Sequence, residues 1–252
     1  MVPASEMTKP GLAAGNEVYA DAVAYHGELA RDWEQRYRKR SFRARLRVIE
    51  ECMRGREIRG AWLDAGCGAG TLSRWLAAKG CDVLGLDASP EMLEAAMHQA
   101  AKDAHAERLH FRGVETIERL PLDSGKFDGI LASSVLEYVR DPAACVREFF
   151  RVLKPCGVLL VSVPNAASLF RKLQVACHHF GKRFGRNWAR FIAYSHHEYS
   201  AEEFSDLLSQ AGFQVRKIAA FGGPLPRGIQ RRRWGGPLLM FVAEKNAGKL
   251  PS

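Results

Sequence analysis

The sequence predicts an α/β fold: a mostly parallel sheet with helices on both faces. Three observations lead there. Short apolar runs alternate with helical stretches, the pattern of right-handed βαβ crossovers. The first run ends in a glycine-rich turn that opens a helix. The last two runs, 213–221 and 238–244, are joined by a Gly/Pro/Arg loop and pair as closing strands.

The elements follow in order. Residues 17–57 carry Tyr25, Leu29, Trp33, Tyr37, Phe42, Leu46 and Ile49 among charged residues at near-helical spacing, which predicts one or two amphipathic helices. Residues 61–63 form the first strand, ending at Asp64, and Gly66, Gly68 and Gly70 make the turn. A helix over 71–78 stops at Gly80. Residues 82–86 are the second strand, ending at Asp87. Ser89 caps the next helix with Pro90 at its first position, and that helix runs to about His105. Strands over 109–111, 127–132 and 158–163 follow, with an amphipathic helix over 145–153 between the last two. A helix over 202–210 ends at Gly212. Residues 165–199 are too long for an ordinary connection and read as a functional insertion.

At 252 residues, 47% hydrophobic and 10% aromatic, the chain buries a substantial core, which excludes disorder as its main state. No apolar run approaches the ~18–20 residues of a membrane helix. Residues 1–16 lack a basic-then-apolar signal pattern and read as a flexible leader on a cytoplasmic protein. The 6 cysteines include no Cys-x-x-Cys pair, which gives no support to a metal or redox site, and export-type disulfides are not expected. The net charge of +9 is clustered: Arg36 to Arg47, Lys182 to Arg190, and Arg227 with Arg231, Arg232 and Arg233. Such clusters attract an anionic substrate, nucleic acid or an anionic lipid surface, or are simply a solvated basic face.

The glycine turn separates cofactors. A dinucleotide fingerprint needs a third glycine where Thr71 stands, and a phosphate loop needs a lysine where Leu72 and Ser73 stand. What remains is Asp64-x-Gly66-x-Gly68-x-Gly70. A carboxylate at the strand tip suits an ammonium group, and glycines admit a ligand close to the backbone. Asp87 ends the next strand near the roughly 20-residue offset at which a carboxylate accepts from a ribose diol. Together they describe an amino-acid nucleoside.

Residues 62–163 resemble the class I S-adenosylmethionine-dependent methyltransferases, particularly the branch of ubiquinone-biosynthesis-type O-methyltransferases. The resemblance is carried by Leu63 to Gly70 (LDAGCGAG), Gly85 to Pro90 (GLDASP), Leu120 to Leu122 (LPL), Lys126 to Asp128 (KFD), Val135 to Val139 (VLEYV) and Arg151 to Pro155 (RVLKP). It implies a Rossmann-like sheet of seven strands in the order 3-2-1-4-5-7-6, a helical cap over 17–57, a methyltransferase domain over 58–247 with a substrate lid over 165–200, and a tail over 248–252. It implies S-adenosyl-L-methionine as cofactor: Asp64 and Gly66 at its methionine end, with Gly68 and Gly70 completing the turn, and Asp87 on its ribose. Ala88 to Met92 flank the adenine, Val114 and Glu115 follow the third strand, Ser133 ends the fourth, and Arg45 meets the cofactor carboxylate, with Arg43 and Arg47 as rivals. Three positions depart from the family: Val114 precedes Glu115 where an acidic residue often follows the glycine directly, Tyr138 replaces a frequent His, and Cys156 replaces a Gly.

For the chemistry, a nucleophile must shed its proton, so a base is needed beside the transferred methyl. His196 and His197 are the first candidates, since imidazole titrates near neutrality; Glu137 is the carboxylate alternative, and His178 and His179 are weaker. No metal is expected. The aromatic and basic residues of the insertion, Phe170 to Tyr194, suit a small aromatic or lipid-like acceptor, anionic acceptors included, or docking at a membrane surface. The expected activity is O-methylation of a small molecule. An RNA methyltransferase and a non-catalytic cofactor-binding protein remain open alternatives.

Overall fold

Apolar residues alternate between two faces along the central strands, and each face is covered by helices. The computed structural model describes residues 14–33, 40–183, 190–232 and 234–246. The readings that fall on 1–13, 34–39, 184–189, 233 and 247–252, among them Tyr37, Trp188 and Arg233, lie outside the described residues. In chain order the elements are α1 (Ala14–Leu29), α2 (Arg40–Met53), β1 (Gly60–Ala65), α3 (Thr71–Ala77), β2 (Cys81–Asp87), α4 (Pro90–Ala100), β3 (Leu109–Gly113), β4 (Phe127–Ser133), α5 (Pro142–Val152), β5 (Leu153–Pro164), α6 (Leu169–Arg183), α7 (Ala201–Gln210), β6 (Phe213–Phe221), α8 (Arg227–Gln230) and β7 (Leu238–Lys245). The seven strands lie in the order β3-β2-β1-β4-β5-β7-β6, as the family resemblance implies. All neighbours pair in parallel except β7, which is antiparallel to both β5 and β6.

The alternation is explicit in β4 and β5. Ile130, Ala132, Leu159 and Val161 face one core with Phe149, Phe204 and Phe241. Leu131 and Leu160 face the other, with Ile49, Trp62 and Leu76. Gly129 makes room for Trp62, whose ring stands 2.4 Å from where a Cβ would sit. No helix among the described residues is long and apolar enough to cross a membrane.

Several boundaries differ from the sequence expectation. The second α/β helix ends at Ala100, not near His105, and is followed by turns and a short 3-10 helix over Ala106–Arg108. α5 starts at Pro142, because the Asp141 side chain caps it by accepting from the Ala144 amide at 3.0 Å. β5 starts at Leu153, continuing directly from α5, and Cys156 within it takes the left-handed φ of 62° that explains why a glycine is common there. Residues 165–200 contain α6 and a 3-10 turn over Arg190–Tyr194, so the insertion carries helical structure of its own.

These elements position the site at the carboxyl ends of the strands. β1 lies between β2 and β4, so the chain direction splits on either side of it and opens a crevice there. α1 crosses that crevice. Tyr25 on α1 stacks on Tyr194 at 4.9 Å between ring centroids, joining α1 to the insertion.

Candidate active site

The crevice is a cavity of about 580 Å³, within the range of small-ligand sites. One end is built by the β1–α3 turn. Gly66 and Gly68 both have left-handed backbone, at φ 74° and 52°, and the Gly66 and Cys67 amides donate to the Leu86 carbonyl at 2.8 and 2.9 Å. A Cβ at Gly66 would stand 2.5 Å from Val135 Cγ2, so this bend needs glycine for both conformation and space.

Two carboxylates border the bend. Asp64 is 1% exposed and accepts from the Ser73 hydroxyl at 2.6 Å. Burial pushes its carboxyl up to about 7, with the Ser73 hydrogen bond opposing and the Asp87 charge adding to the rise. Asp87 accepts from the Gly68 amide at 2.8 Å and from the Ser89 amide at 2.9 Å. Burial also raises it, against those amides and the His26 charge. Each carboxylate oxygen retains acceptor capacity beyond these bonds. Ala88 and Met92 line the cavity beside Asp87, and Trp33 packs with Met92 over Ala69.

At the tip of β4 an arginine is held in place. Arg45 donates from Nη1 to Ser133 Oγ at 3.0 Å and from Nη2 to Ser134 Oγ at 2.9 Å. Ser134 has a left-handed φ of 55°, and its amide donates to Ser162 Oγ at 3.0 Å. Of the three arginines in the 43–47 stretch, Arg45 alone lines the cavity; Arg47 turns back to the Arg43 carbonyl.

Much of the remaining lining is aromatic: Tyr25, Tyr138, Phe170 and Phe191, together with Glu137, Arg171 and His26. Glu137 is 4% exposed, and its Oε2 has no hydrogen-bond partner among the described residues. Burial pushes its carboxyl up to about 7, while its own backbone amide and the charges of Arg45 and Arg171 oppose the rise. It sits in the turn before α5. His26 places its ring edge-on to Tyr138 at 4.8 Å, with Nδ1 2.7 Å from the Ala22 carbonyl.

Thus Arg45, Asp64, Gly66, Gly68, Asp87, Ala88, Met92, Ser133 and Glu137 come together around one cavity, and other expected site residues do not. Neither His196 nor His197 lines it. His196 is exposed and its amide donates to the Glu137 carbonyl at 2.9 Å; the His197 ring nitrogen Nε2 lies 3.0 Å from the Val139 carbonyl. The stretch before α7 therefore runs behind the Glu137 turn. Val114 is held by its amide to the Asp87 carbonyl at 3.1 Å and packs on the core. Glu115 is exposed beside a separate surface depression with Arg112 and Arg119, and Ile117 supplies the cavity wall instead. Gly70 begins α3 in left-handed backbone with Phe111 and Ala96 filling the space of a Cβ, so it serves packing. His178 is buried in α6 away from the cavity. Among the described residues no group of His, Cys, Asp and Glu could hold a metal ion.

Sequence reasoning missed His26, Tyr138 as a wall, Ser134 and Arg171. The first had a faint signal: it adjoins the helical stripe of Tyr25, Leu29 and Trp33. Arg171 had none beyond its place in the insertion.

The strand order and the two strand-tip carboxylates across a glycine bend define an α/β protein with a strand-end cavity that suits a nucleoside. A family model described as a methyltransferase domain matches residues 33–218, and the chain belongs to that family. It is 37% identical over 103 residues to the ubiquinone biosynthesis O-methyltransferase of Psychrobacter cryohalolentis, covering 41% of this chain and 40% of that protein. Over 107 residues it is 36% identical to the malonyl-[acyl-carrier protein] O-methyltransferase of Enterobacter lignolyticus, covering 42% and 40%. The chain thus spans about two-fifths of these relatives' lengths. Among solved structures, a SAM-dependent methyltransferase from Thermotoga maritima superposes with a TM-score of 0.65 at 20% identity, covering 88% of this chain and 99% of that one.

Membership of that family implies S-adenosylmethionine as cofactor, and the donor set of the cavity fits it. Asp64 is a buried carboxylate held by the Ser73 hydroxyl and backbone amide, with no cation against it among the described residues, which suits an ammonium group. The Asp87 acceptors suit a ribose diol, Arg45 suits a carboxylate, and Ala88, Met92 and Trp33 give apolar walls for a purine.

Proposed function

We propose that this chain methylates a hydroxyl group of a small aromatic or lipid-like acceptor, with Glu137 as the proton acceptor. One observation carries the reading: a buried Glu137 carboxyl oxygen has no hydrogen-bond partner among the described residues, in the same cavity whose other residues fit the cofactor. The names of the two relatives support oxygen as the atom methylated. The cofactor supplies an electrophilic methyl group on a sulfonium.

What remains for the protein is positioning and proton removal. Asp64, Asp87 and Arg45 fix the two ends of the cofactor. Tyr25, Tyr138, Phe170 and Phe191 exclude water and seat an apolar acceptor. Glu137 Oε2 takes the hydroxyl proton of the acceptor; a carboxyl raised to about 7 is a far better base than an ordinary carboxylate yet is half ionised at neutral pH. Residues 165–200 act as the substrate lid, since α6 and the 190–195 stretch supply Phe170, Arg171 and Phe191 to the wall.

The test is methyl transfer from labelled cofactor into a cell extract separated into lipid, small-metabolite and RNA fractions. Label in a lipid or metabolite fraction, on an oxygen atom by mass spectrometry, is expected. Label confined to RNA, or no turnover despite cofactor binding, overturns the reading.

A further inference from the structure

We propose that Arg171 anchors a carboxylate on the acceptor, so that the molecule methylated is a hydroxylated aryl carboxylate. This deepens the reading of Glu137 and the aromatic cavity and rests on it.

Arg171 lies in the first turns of α6 and is 4% exposed, yet it lines the cavity. Arginine is seldom buried this deeply without partners, and here two partners set its orientation. Nε donates to Glu198 Oε1 at 2.7 Å and Nη2 donates to Ser195 Oγ at 2.9 Å. Nη1 makes no hydrogen bond among the described residues. The guanidinium carbon stands 5.6 Å from the Phe191 ring centroid, within cation–π range.

The two members of the ion pair sit in different surroundings. The side chain of Glu198 is 31% exposed and that of Arg171 is 5%. Water screens the carboxylate more than the guanidinium, so the ion pair leaves the Arg171 charge less screened on its buried side. The charge of Arg171 is felt at the Glu137 carboxyl, which places both groups on the same enclosed volume. One turn along α6, Gln174 adds an amide to the same wall.

Arg171, Glu137 and the surrounding rings ask for three features in one small molecule. A planar ring fills the space between Phe170, Phe191 and Tyr138. A hydroxyl meets Glu137, and a carboxylate meets the remaining guanidinium donor. A carboxylate oxygen at Nη1 would gain a charge-assisted hydrogen bond, stronger than one between neutral groups. The competing reading is that Arg171 only ties α6 to the 195–198 stretch, and the experiment separates the two.

The full chain is saturated with S-adenosylhomocysteine and titrated by calorimetry with dihydroxybenzoate and with dihydroxybenzamide, which differ in charge and little in shape. The carboxylate is expected to bind at least about tenfold more tightly, the scale of a charge-assisted pair. In the Arg171→Gln/Glu198→Gln double variant, which leaves no buried charge unpaired, that preference should vanish while affinity for S-adenosylhomocysteine stays unchanged. Equal binding of the two probes by the unaltered protein, binding of neither, or a preference that persists in the double variant overturns the proposal. Should the double variant not fold, the comparison on the unaltered protein decides alone. Failure to bind S-adenosylhomocysteine would instead sink the methyltransferase reading itself.

Discussion

Replacing Asp64 with Asn should make the cofactor-free protein more stable at alkaline pH while crippling cofactor binding. Asp64 is fully buried, and burial raises its carboxyl from 3.8 to about 7. An acid whose folded pKa exceeds its unfolded one gives its full contribution below pH 3.8 and loses it as pH climbs to 7. At 1.36 kcal/mol per pH unit, the loss amounts to about 4 kcal/mol. Asn removes that dependence and keeps an oxygen for the Ser73 hydroxyl. Urea denaturation of both proteins without ligand, from pH 4 to pH 8.5, reads the difference. The curves should meet at the acid end and diverge in favour of the Asn variant by about 4 kcal/mol, or about 10 °C in melting temperature. Saturating S-adenosylhomocysteine should abolish the advantage, because its ammonium group offsets the charge only in the unaltered protein. Parallel curves, or a less stable Asn variant at pH 8.5, would refute the claim that Asp64 is an uncompensated acceptor waiting for a cation.

Other outcomes follow from the same geometry. Glu137→Gln should lower kcat by roughly 100-fold or more, the scale of lost general-base catalysis, with cofactor affinity barely moved. For the unaltered enzyme, kcat should rise with pH and level off above about 7, as the Glu137 carboxyl ionises; a flat profile from pH 5 to pH 9 would remove Glu137 as the base. Gly66→Ala forces a Cβ into left-handed backbone and against Val135, and should cost about 1–3 kcal/mol of stability by thermal melting as well as cofactor affinity. His196→Ala and His197→Ala should each keep kcat within about threefold, since neither side chain lines the cavity; a large loss in either would restore the imidazole as base.

The cofactor half of the site was legible in the sequence because its determinants are local. A strand that ends in Asp64, a bend whose glycines take positive φ, and a second strand that ends in Asp87 before a Ser89 cap need nothing from the rest of the chain to be recognised. The acceptor half was not. It is assembled from α1, the turn before α5, α6 and the loops beside β6 and β7, which meet only in the folded chain. Within those pieces His26 and Arg171 belong to no local motif, and Arg171 beside Lys172 and Gln174 reads as an ordinary polar stretch of a surface helix. Residue type alone pointed to His196 and His197, but the backbone that leads into α7 turns them behind the Glu137 carbonyl. Val114 and Glu115 failed for a related reason: the chain leaves β3 with Val114 hydrogen-bonded to Asp87, so the wall comes two residues later, from Ile117.

The most direct measurement is calorimetric titration of S-adenosylhomocysteine into the full chain and its Asp87→Ala variant. One site per chain is expected, with affinity at least about tenfold weaker in the variant, the scale of a lost charged acceptor. No heat with the unaltered chain, or the same affinity in both proteins, would contradict the placement of the cofactor between Asp64 and Asp87.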